Sequence, residues 1–395
     1  SAWVKTSTSA DYVAADAAEA IREANSLPGR IATLIMPADT AWTPARPHDA
    51  LDFSTPKATL PAAEQFEAAV KALKSGESVV LVLGGRALRA APLALASQIV
   101  QCTGAKMLAQ WSNGRMERGE GRTAISRTPA PVDDGVATFK DVKHVILIGA
   151  KVPAPMFGYP GKPDYLMAPG ANLVELTAPT DHLEETLREL AQRVGATGIA
   201  PILEVRRELA LPQGALTADN VLRTISALMP ENAIIVDESI SAGRSFFPAS
   251  MGAPAHDYLQ LTGGSIGSGL PMSTGAAIAC PERLVINMEG DGSSMYTIQA
   301  LWTQAREKLN VVTVIFANRG YQILRGELVG VGAKTWGERA ERMLSIVDPD
   351  ISWVKLAEGM GVEAASADNC ETLVKLLRHA VARPGPFLIE ARIGR

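Results

Sequence analysis

The chain has 395 residues, 47% of them hydrophobic, with 38 Lys and Arg against 42 Asp and Glu for a formal net charge of −4. This allows two or three ordinary globular domains, excludes a disordered or fibrous class, and leaves no basic patch for nucleic acid or an anionic membrane. No apolar run reaches the ~18 residues of a membrane span, and Cys102, Cys280 and Cys370 are too few and scattered for a disulfide frame, so a soluble cytoplasmic protein with buried thiols is expected.

Residues 1–44 predict a helix over Ala10–Asn25 and a strand over Ile31–Met36, the closing helix and strand of a larger α/β sheet, with Glu19 and Glu23 on a solvent-facing helix side. Residues 45–60 carry two prolines, just after a third at Pro44, and few strand formers, and read as a linker. A second pattern fills residues 61–200: helix Ala62–Ser75, strand Val79–Leu83, helix Ala91–Thr103, strands Lys106–Ala109, Val145–Ile148 and Leu173–Leu176, and helix His182–Arg193. Strands alternating with helices predict a parallel sheet. Gly84-Gly85 fits either a nucleotide phosphate or a tight strand-to-helix turn, and the acidic partner a dinucleotide site wants is not evident. Val152–Pro169, rich in proline and aromatic residues, predicts a surface segment facing other domains.

After a second linker at 201–215, residues 216–395 form a third α/β unit with strands Ala233–Val236, Val285–Met288, Val311–Ala317 and Phe387–Ala391 and helices Tyr296–Lys308, Ile351–Gly361 and Cys370–Ala382. The fold class is therefore α/β: two complete parallel-sheet domains and the remnant of a third at the amino terminus. The histidines at 48, 144, 182, 256 and 379 form no cluster and read as surface or packed residues.

The most informative stretch runs from Leu284 to Gln322, where Asp291 stands between Gly290 and Gly292 at the end of one apolar run and Asn318 at the end of the next. Both emerge at carboxyl ends of parallel strands, where open α/β sheets bind ligands. Two oxygen donors suit Mg²⁺, which takes its remaining oxygens from phosphates and water. The flanking glycines permit close backbone approach, and the helix start that follows offers N–H groups to an anion. The Gly-Asp-Gly turn alone is equally a conformational feature; what distinguishes it is Asn318 after a further 25 residues holding one helix and one strand.

This spacing resembles the signature of thiamin diphosphate enzymes. GDGSSMYTIQALW (290–302) is similar to benzoylformate decarboxylases, and FANRGYQILRGELVGVG (316–332) to acetolactate synthase large subunits. VDESISAGRSFF (236–247) and LTGGSIGSGLPMSTGAAIA (261–279) resemble the family's other two cofactor loops. The resemblance implies that Asp291 and Asn318 bind Mg²⁺ by side chain and Gly320 by its carbonyl. Gly290, Gly292, Ser293 and Ser294 would hold the diphosphate, with Ser239, Ile240 and Ser241 on the opposing loop and Tyr321 among the cofactor contacts. Ile266, with Gly264 beside it, would be the apolar wedge beneath the bent cofactor, the one residue given a catalytic role; packing in the core is its plainer reading. Glycines 263, 264, 267 and 269 do not have dinucleotide-fingerprint spacing.

The resemblance further implies cleavage or formation of a carbon–carbon bond next to the keto group of a small 2-keto acid, in a homodimer or homotetramer with the cofactor at the subunit interface. The middle domain would be a spacer, with no FAD or adenine nucleotide expected. Leu324–Met343 would be a substrate-covering segment or else an ordinary surface helix. Pro160 falls where benzoylformate decarboxylases place a catalytic histidine, and a proline cannot transfer protons, which argues against benzoylformate as substrate. The activating glutamate would belong to a first domain, of which residues 1–44 resemble the tail, with loss or omission of the rest favoured over a separate chain. A different reading is a cofactor-binding but inactive homologue acting as a structural or regulatory subunit.

Overall fold

The computed structural model describes residues 1–48, 50–55 and 57–394; Asp49 and Pro56 of the expected first linker, and Arg395, lie outside them. At the amino terminus β1 (Trp3–Thr6) pairs in parallel with β2 (Ala32–Ile35), and the helix Val13–Asn25 lies between them in the chain. β1 was not expected. Glu19 and Glu23 are not free on a solvent face: Glu19 accepts from Lys5 at 2.7 Å and Trp3 at 3.3 Å, and Glu23 pairs with Arg30.

The next strands are β3 (Val79–Leu83), β4 (Lys106–Ala109), β5 (Arg115–Arg118), β6 (Ser126–Arg127), β7 (His144–Ile148) and β8 (Asn172–Thr177). All but β5 form a parallel sheet in the order β6-β4-β3-β7-β8. Its central strand, VVLVL, is buried at every position, as a sheet covered on both faces requires. Gly84 closes β3 where a β-carbon would sit 2.6 Å from the Gly149 carbonyl oxygen, so the tight-turn reading accounts for this glycine.

The carboxyl-terminal sheet contains β9 (Ala233–Glu238), β10 (His256–Gln260), β11 (Val285–Gly290), β12 (Val311–Ala317), β13 (Glu363–Ala367) and β14 (Phe387–Arg392), in the order β13-β14-β12-β11-β9-β10-β5. Six strands are parallel; β5 pairs antiparallel with β10 although it falls within residues 61–200, so the middle segment contributes an edge strand to the last sheet. β12 shows the two-residue period of a doubly covered strand. Val312, Val314 and Phe316 join the core that contains Leu222, Ile225, Leu373 and Leu377, while Ile315 and Ala317 face Leu270, Leu301 and Trp353. Helix Ala218–Leu228 is capped by Thr217, and helix Cys370–Val381 by Asn369, whose Oδ1 accepts from Thr372 at 2.8 Å.

The helix expected over Tyr296–Lys308 is shorter. Asp291–Ser294 forms one helical turn, residues 295–299 continue as turns, and the helix proper spans Ala300–Arg306. Bonds from Tyr296 N to Ser293 O and from Ala300 N to Thr297 O keep this stretch in three-residue steps. The 201–215 linker has no helix or strand, yet it bridges Thr123 through Leu203 and Asn369 through Ala215. Cys102 is exposed, Cys280 half-buried and Cys370 buried, which corrects the expectation of three buried thiols, and none forms a disulfide. Among the described residues no helix is long and apolar enough to cross a membrane.

Candidate functional site

Strand order reverses beside β9: the chain passes from β9 to β10 on one side and then to β11 on the other. The carboxyl ends of β9, β11 and β12 thus open at a switch point, the usual crevice for ligands in such sheets. Four loops meet there.

Asp291 follows β11 and is 3% exposed. Its Oδ1 accepts from the Gly292 N–H at 2.8 Å and its Oδ2 from the Arg319 N–H at 2.6 Å, so it is bonded across to the turn after β12. In that turn Asn318 Oδ1 accepts from Gly320 N at 3.0 Å, and Arg319 takes φ +58°. Burial pushes the Asp291 pKa up to about 6, although the N–H groups of Arg319 and Gly292 pull it down. Gly292 lies against Tyr321: a β-carbon there would come 2.6 Å from the ring. The Gly320 carbonyl accepts from Gln322 N at 3.0 Å.

The Gly290–Ser294 turn abuts the loop after β9. Ser293 Oγ is 3.3 Å from the Glu238 carbonyl oxygen and 3.1 Å from that of Gly290, and Ser294 Oγ donates to Gly290 O at 2.8 Å. These hydroxyls shape the turn from inside. On the facing loop Ser239 is buried and donates to Asp237 at 2.5 Å, while Ile240 takes φ +53° and Ser241 stays half-exposed. The glycine-rich loop stands opposite, with Gly263, Gly264 and Gly267 at φ +67°, +68° and +92° and Ile266 39% exposed, so the isoleucine is not packed in the core. Thr297 Oγ1 donates to Gly267 O at 2.8 Å, joining this loop to the segment after Ser294. The structure therefore brings every expected site residue onto these four neighbouring loops.

Three carboxyls behind the loops were not anticipated. Asp237 is raised by burial although Ser239 and Tyr258 donate to it. Glu238 is raised by burial against the opposing effect of the Gly269 and Gly267 N–H groups. Glu289 is held well above the carboxylate range by burial and by Glu238. Their signal in the sequence is acidic residues closing two otherwise apolar strands. Also missed were Met156, whose Cε lies 3.2 Å from where a Gly264 β-carbon would be, and Tyr159, whose hydroxyl donates to Glu327 at 2.8 Å. Leu324–Met343 is not one helix: Gln322–Gly330 and Glu338–Met343 flank an irregular stretch, and neither helix buries a residue.

The donor set fits a hard cation. Asp291 is a buried carboxylate whose bonds come from backbone N–H groups, not from a cationic side chain, and burial raises its pKa. Among the described residues no three His, Cys, Asp or Glu side chains converge on a metal cage. A cation here would rely on Asp291, Asn318 and the Gly320 carbonyl, with phosphate and water completing its shell. A cavity of 170 Å³ beside Asp291, lined by Arg319, Asp350, Trp353, Glu390 and Arg392 among others, can take water but is smaller than the roughly 300–1,000 Å³ of organic-ligand pockets.

Comparison with known proteins follows the same lines. The profile described as "Thiamine pyrophosphate enzyme, C-terminal TPP binding domain" matches residues 245–391. A Mycobacterium tuberculosis protein, named provisionally as acetolactate synthase large subunit IlvX, is 42% identical over 391 residues, 99% of this chain and 75% of its own length. Benzoylformate decarboxylase of Pseudomonas aeruginosa is 34% identical over 282 residues, 65% of this chain and 50% of its own. Among solved structures, the thiamine diphosphate-dependent 4-hydroxybenzoylformate decarboxylase of Rhodococcus jostii RHA1 superposes with a TM-score of 0.76 at 26% identity, over 99% of this chain and 76% of that one.

Proposed function

The chain belongs to the thiamine pyrophosphate enzymes, and on that premise we propose that it makes or breaks a carbon–carbon bond next to the keto group of a small 2-keto acid, with thiamin diphosphate and Mg²⁺ bound. The observation that carries the reading is Asp291: a buried carboxylate bonded by backbone N–H groups and tied by a 2.6 Å bond to the turn bearing Asn318 and Gly320. Asp291, Asn318 and the Gly320 carbonyl would hold the metal. The turns at 290–294 and 239–241 would receive the diphosphate, Ile266 and Gly264 would support the rings, and Tyr321 would brace the Gly292 turn. The cofactor supplies an electron sink for the bond that breaks or forms. The chain's own part is to bind, orient and exclude water.

Pro160 bears on the substrate. Where benzoylformate decarboxylases are expected to carry a proton-transferring histidine this chain has a ring without an ionisable group, which favours a short aliphatic 2-keto acid over benzoylformate. Tyr296, Ile278 and Trp302, in the stretches that follow the glycine-rich loop and the Gly290–Ser294 turn, are 62%, 58% and 54% exposed, and such exposed apolar side chains support a homodimer or homotetramer with the cofactor at a subunit boundary. The scattered, unbridged thiols support a cytoplasmic setting.

The test is calorimetric titration of the protein with thiamin diphosphate, with and without Mg²⁺, followed by CO₂ release from pyruvate and from benzoylformate and by sedimentation velocity. Mg²⁺-dependent binding that Asp291→Ala abolishes, with faster CO₂ release from pyruvate, is expected. Failure to bind the cofactor under any of these conditions would overturn the reading.

A further inference from the structure

Several donors of one turn converge on a single carboxylate outside the expected cofactor contacts. Glu238, at the carboxyl end of β9, is 1% exposed and accepts from the backbone N–H groups of Gly267 and Gly269 and from the Ser268 hydroxyl at 3.4 Å. Beyond Glu238, the loop is tied by Thr297 Oγ1, which donates to Gly267 O at 2.8 Å. Ser265 and Ile266 make backbone bonds only within the loop, to Thr262 O at 3.5 Å and Gly264 O at 3.2 Å, and three of its glycines sit at positive φ. At Gly269, Glu289 Oε1 occupies the place of a β-carbon and Glu238 comes within 2.9 Å of it. On the far side, Ser293 Oγ lies 3.3 Å from the Glu238 carbonyl oxygen and 3.5 Å from the Glu289 carboxyl.

We propose that Glu238 is a positioning residue for the cofactor's ring end: it gathers the 267–269 donors on one anion and so fixes Ile266 relative to the Gly290–Ser294 turn. This rests on the reading of the site as a thiamin diphosphate site. A carboxylate suits the task because it accepts several N–H bonds at once from a concave run of backbone amides. A glutamine of the same shape has one acceptor oxygen, and its NH₂ group would face donors. A buried N–H left without a partner costs enough to open the turn.

The experiment compares wild type with Glu238→Gln in calorimetric titrations with Mg²⁺-thiamin diphosphate and with Mg²⁺ and inorganic diphosphate, alongside hydrogen exchange of residues 263–270. Thiamin diphosphate should bind at least about tenfold more weakly to the variant, inorganic diphosphate within about twofold of wild type, and the loop should exchange about tenfold faster. Equal weakening of both ligands, or of neither, would overturn the proposal. If Glu238→Gln lacks a cooperative melting transition, Ser268→Ala takes its place, with an expected weakening of about threefold confined to thiamin diphosphate; an unchanged affinity would overturn the proposal. Failure of wild type to bind thiamin diphosphate would instead refute the functional reading, and loop exchange in the variant would still decide the role of Glu238.

Discussion

Two backbone N–H groups hold the Asp291 carboxylate, and burial still pushes its pKa up to about 6. Because this is above the ~3.9 of an unfolded aspartate, the folded chain retains the proton longer. The stabilising contribution is fully present below about pH 4 and is lost as pH rises through 6, up to about 3 kcal/mol in the absence of a cation. In chelator, the unfolding free energy of wild type relative to Asp291→Asn should therefore fall between pH 4 and 7.5, and Mg²⁺ at pH 7.5 should restore it in wild type alone. Urea melts at both pH values measure this; a pH-independent difference would contradict the burial argument. Gly292 makes a steric prediction beside it. The alanine β-carbon would meet Tyr321 Cε1 at 2.6 Å and Cδ1 at 2.9 Å, so Gly292→Ala should destabilise by about 1–3 kcal/mol, and Tyr321→Ala in the same chain should relieve most of it. A double-mutant cycle with no coupling would sink the packing explanation.

Helix Gln322–Gly330 buries no side chain, so its order depends on a few contacts at its edge. Tyr159, from the irregular 152–169 segment, supplies one: its hydroxyl bonds to Glu327 at 2.8 Å, its ring lies 3.2 Å from where a Gly330 β-carbon would stand, and Phe157 meets it edge-on with ring centroids 6.5 Å apart. Tyr159→Phe should speed hydrogen exchange across 322–330 about threefold to tenfold while moving Tm by less than about 2 °C; unchanged exchange would show that the helix is ordered by other means. Elements such as this one mark the limit of what periodicity reveals. β3, β9, β11 and β12 are legible because their residues are apolar enough to be buried on both faces, and Asp291 and Asn318 are legible as polar residues ending such runs. β5, β10 and β13 read RMER, HDYLQ and EAASA, segments of mixed polarity that are strands because a neighbour pairs with them. The shortened helix before Arg306 follows from hydroxyls of Ser293 and Ser294 that bond back to Gly290, a local competition that amphipathic spacing does not record. Glu238 was opaque for another reason: its donors lie 29 to 31 residues away, and only the fold gathers them.

Across the whole molecule, β5 makes the middle segment and the last sheet one structure, and Arg118 at its end is the joint. Its side chain is 1% exposed, donates to Ser250 Oγ at 2.6 Å and to Phe247 O at 2.7 Å, and stacks 3.6 Å from the centroid of the Phe247 ring. Glu204, from the stretch between the two larger sheets, lies 3.9 Å away and also accepts from Gly252 N at 3.2 Å. Burial lowers the Arg118 pKa to about 10, which leaves it charged at neutral pH, so the guanidinium is a buried cation met by one carboxylate, a carbonyl, a hydroxyl and an aromatic face. Removing one partner from such a set leaves the others buried and unsatisfied, at a cost of about 3–5 kcal/mol. Arg118→Met keeps the bulk and removes the charge and donors, so it should destabilise by about that amount. Because the lost contacts join β5 to the loop between β9 and β10, calorimetry should also show one unfolding transition becoming two, the central sheet melting apart from the carboxyl-terminal one. A single transition shifted by less than about 2 °C would mean that the β5–β10 ladder and the Arg115–Asp257–Arg283 ion pairs hold the two parts together without Arg118. Two transitions would show that the site loops on β9, and the Ile266 loop that follows β10, depend for their placement on a strand contributed from more than a hundred residues upstream.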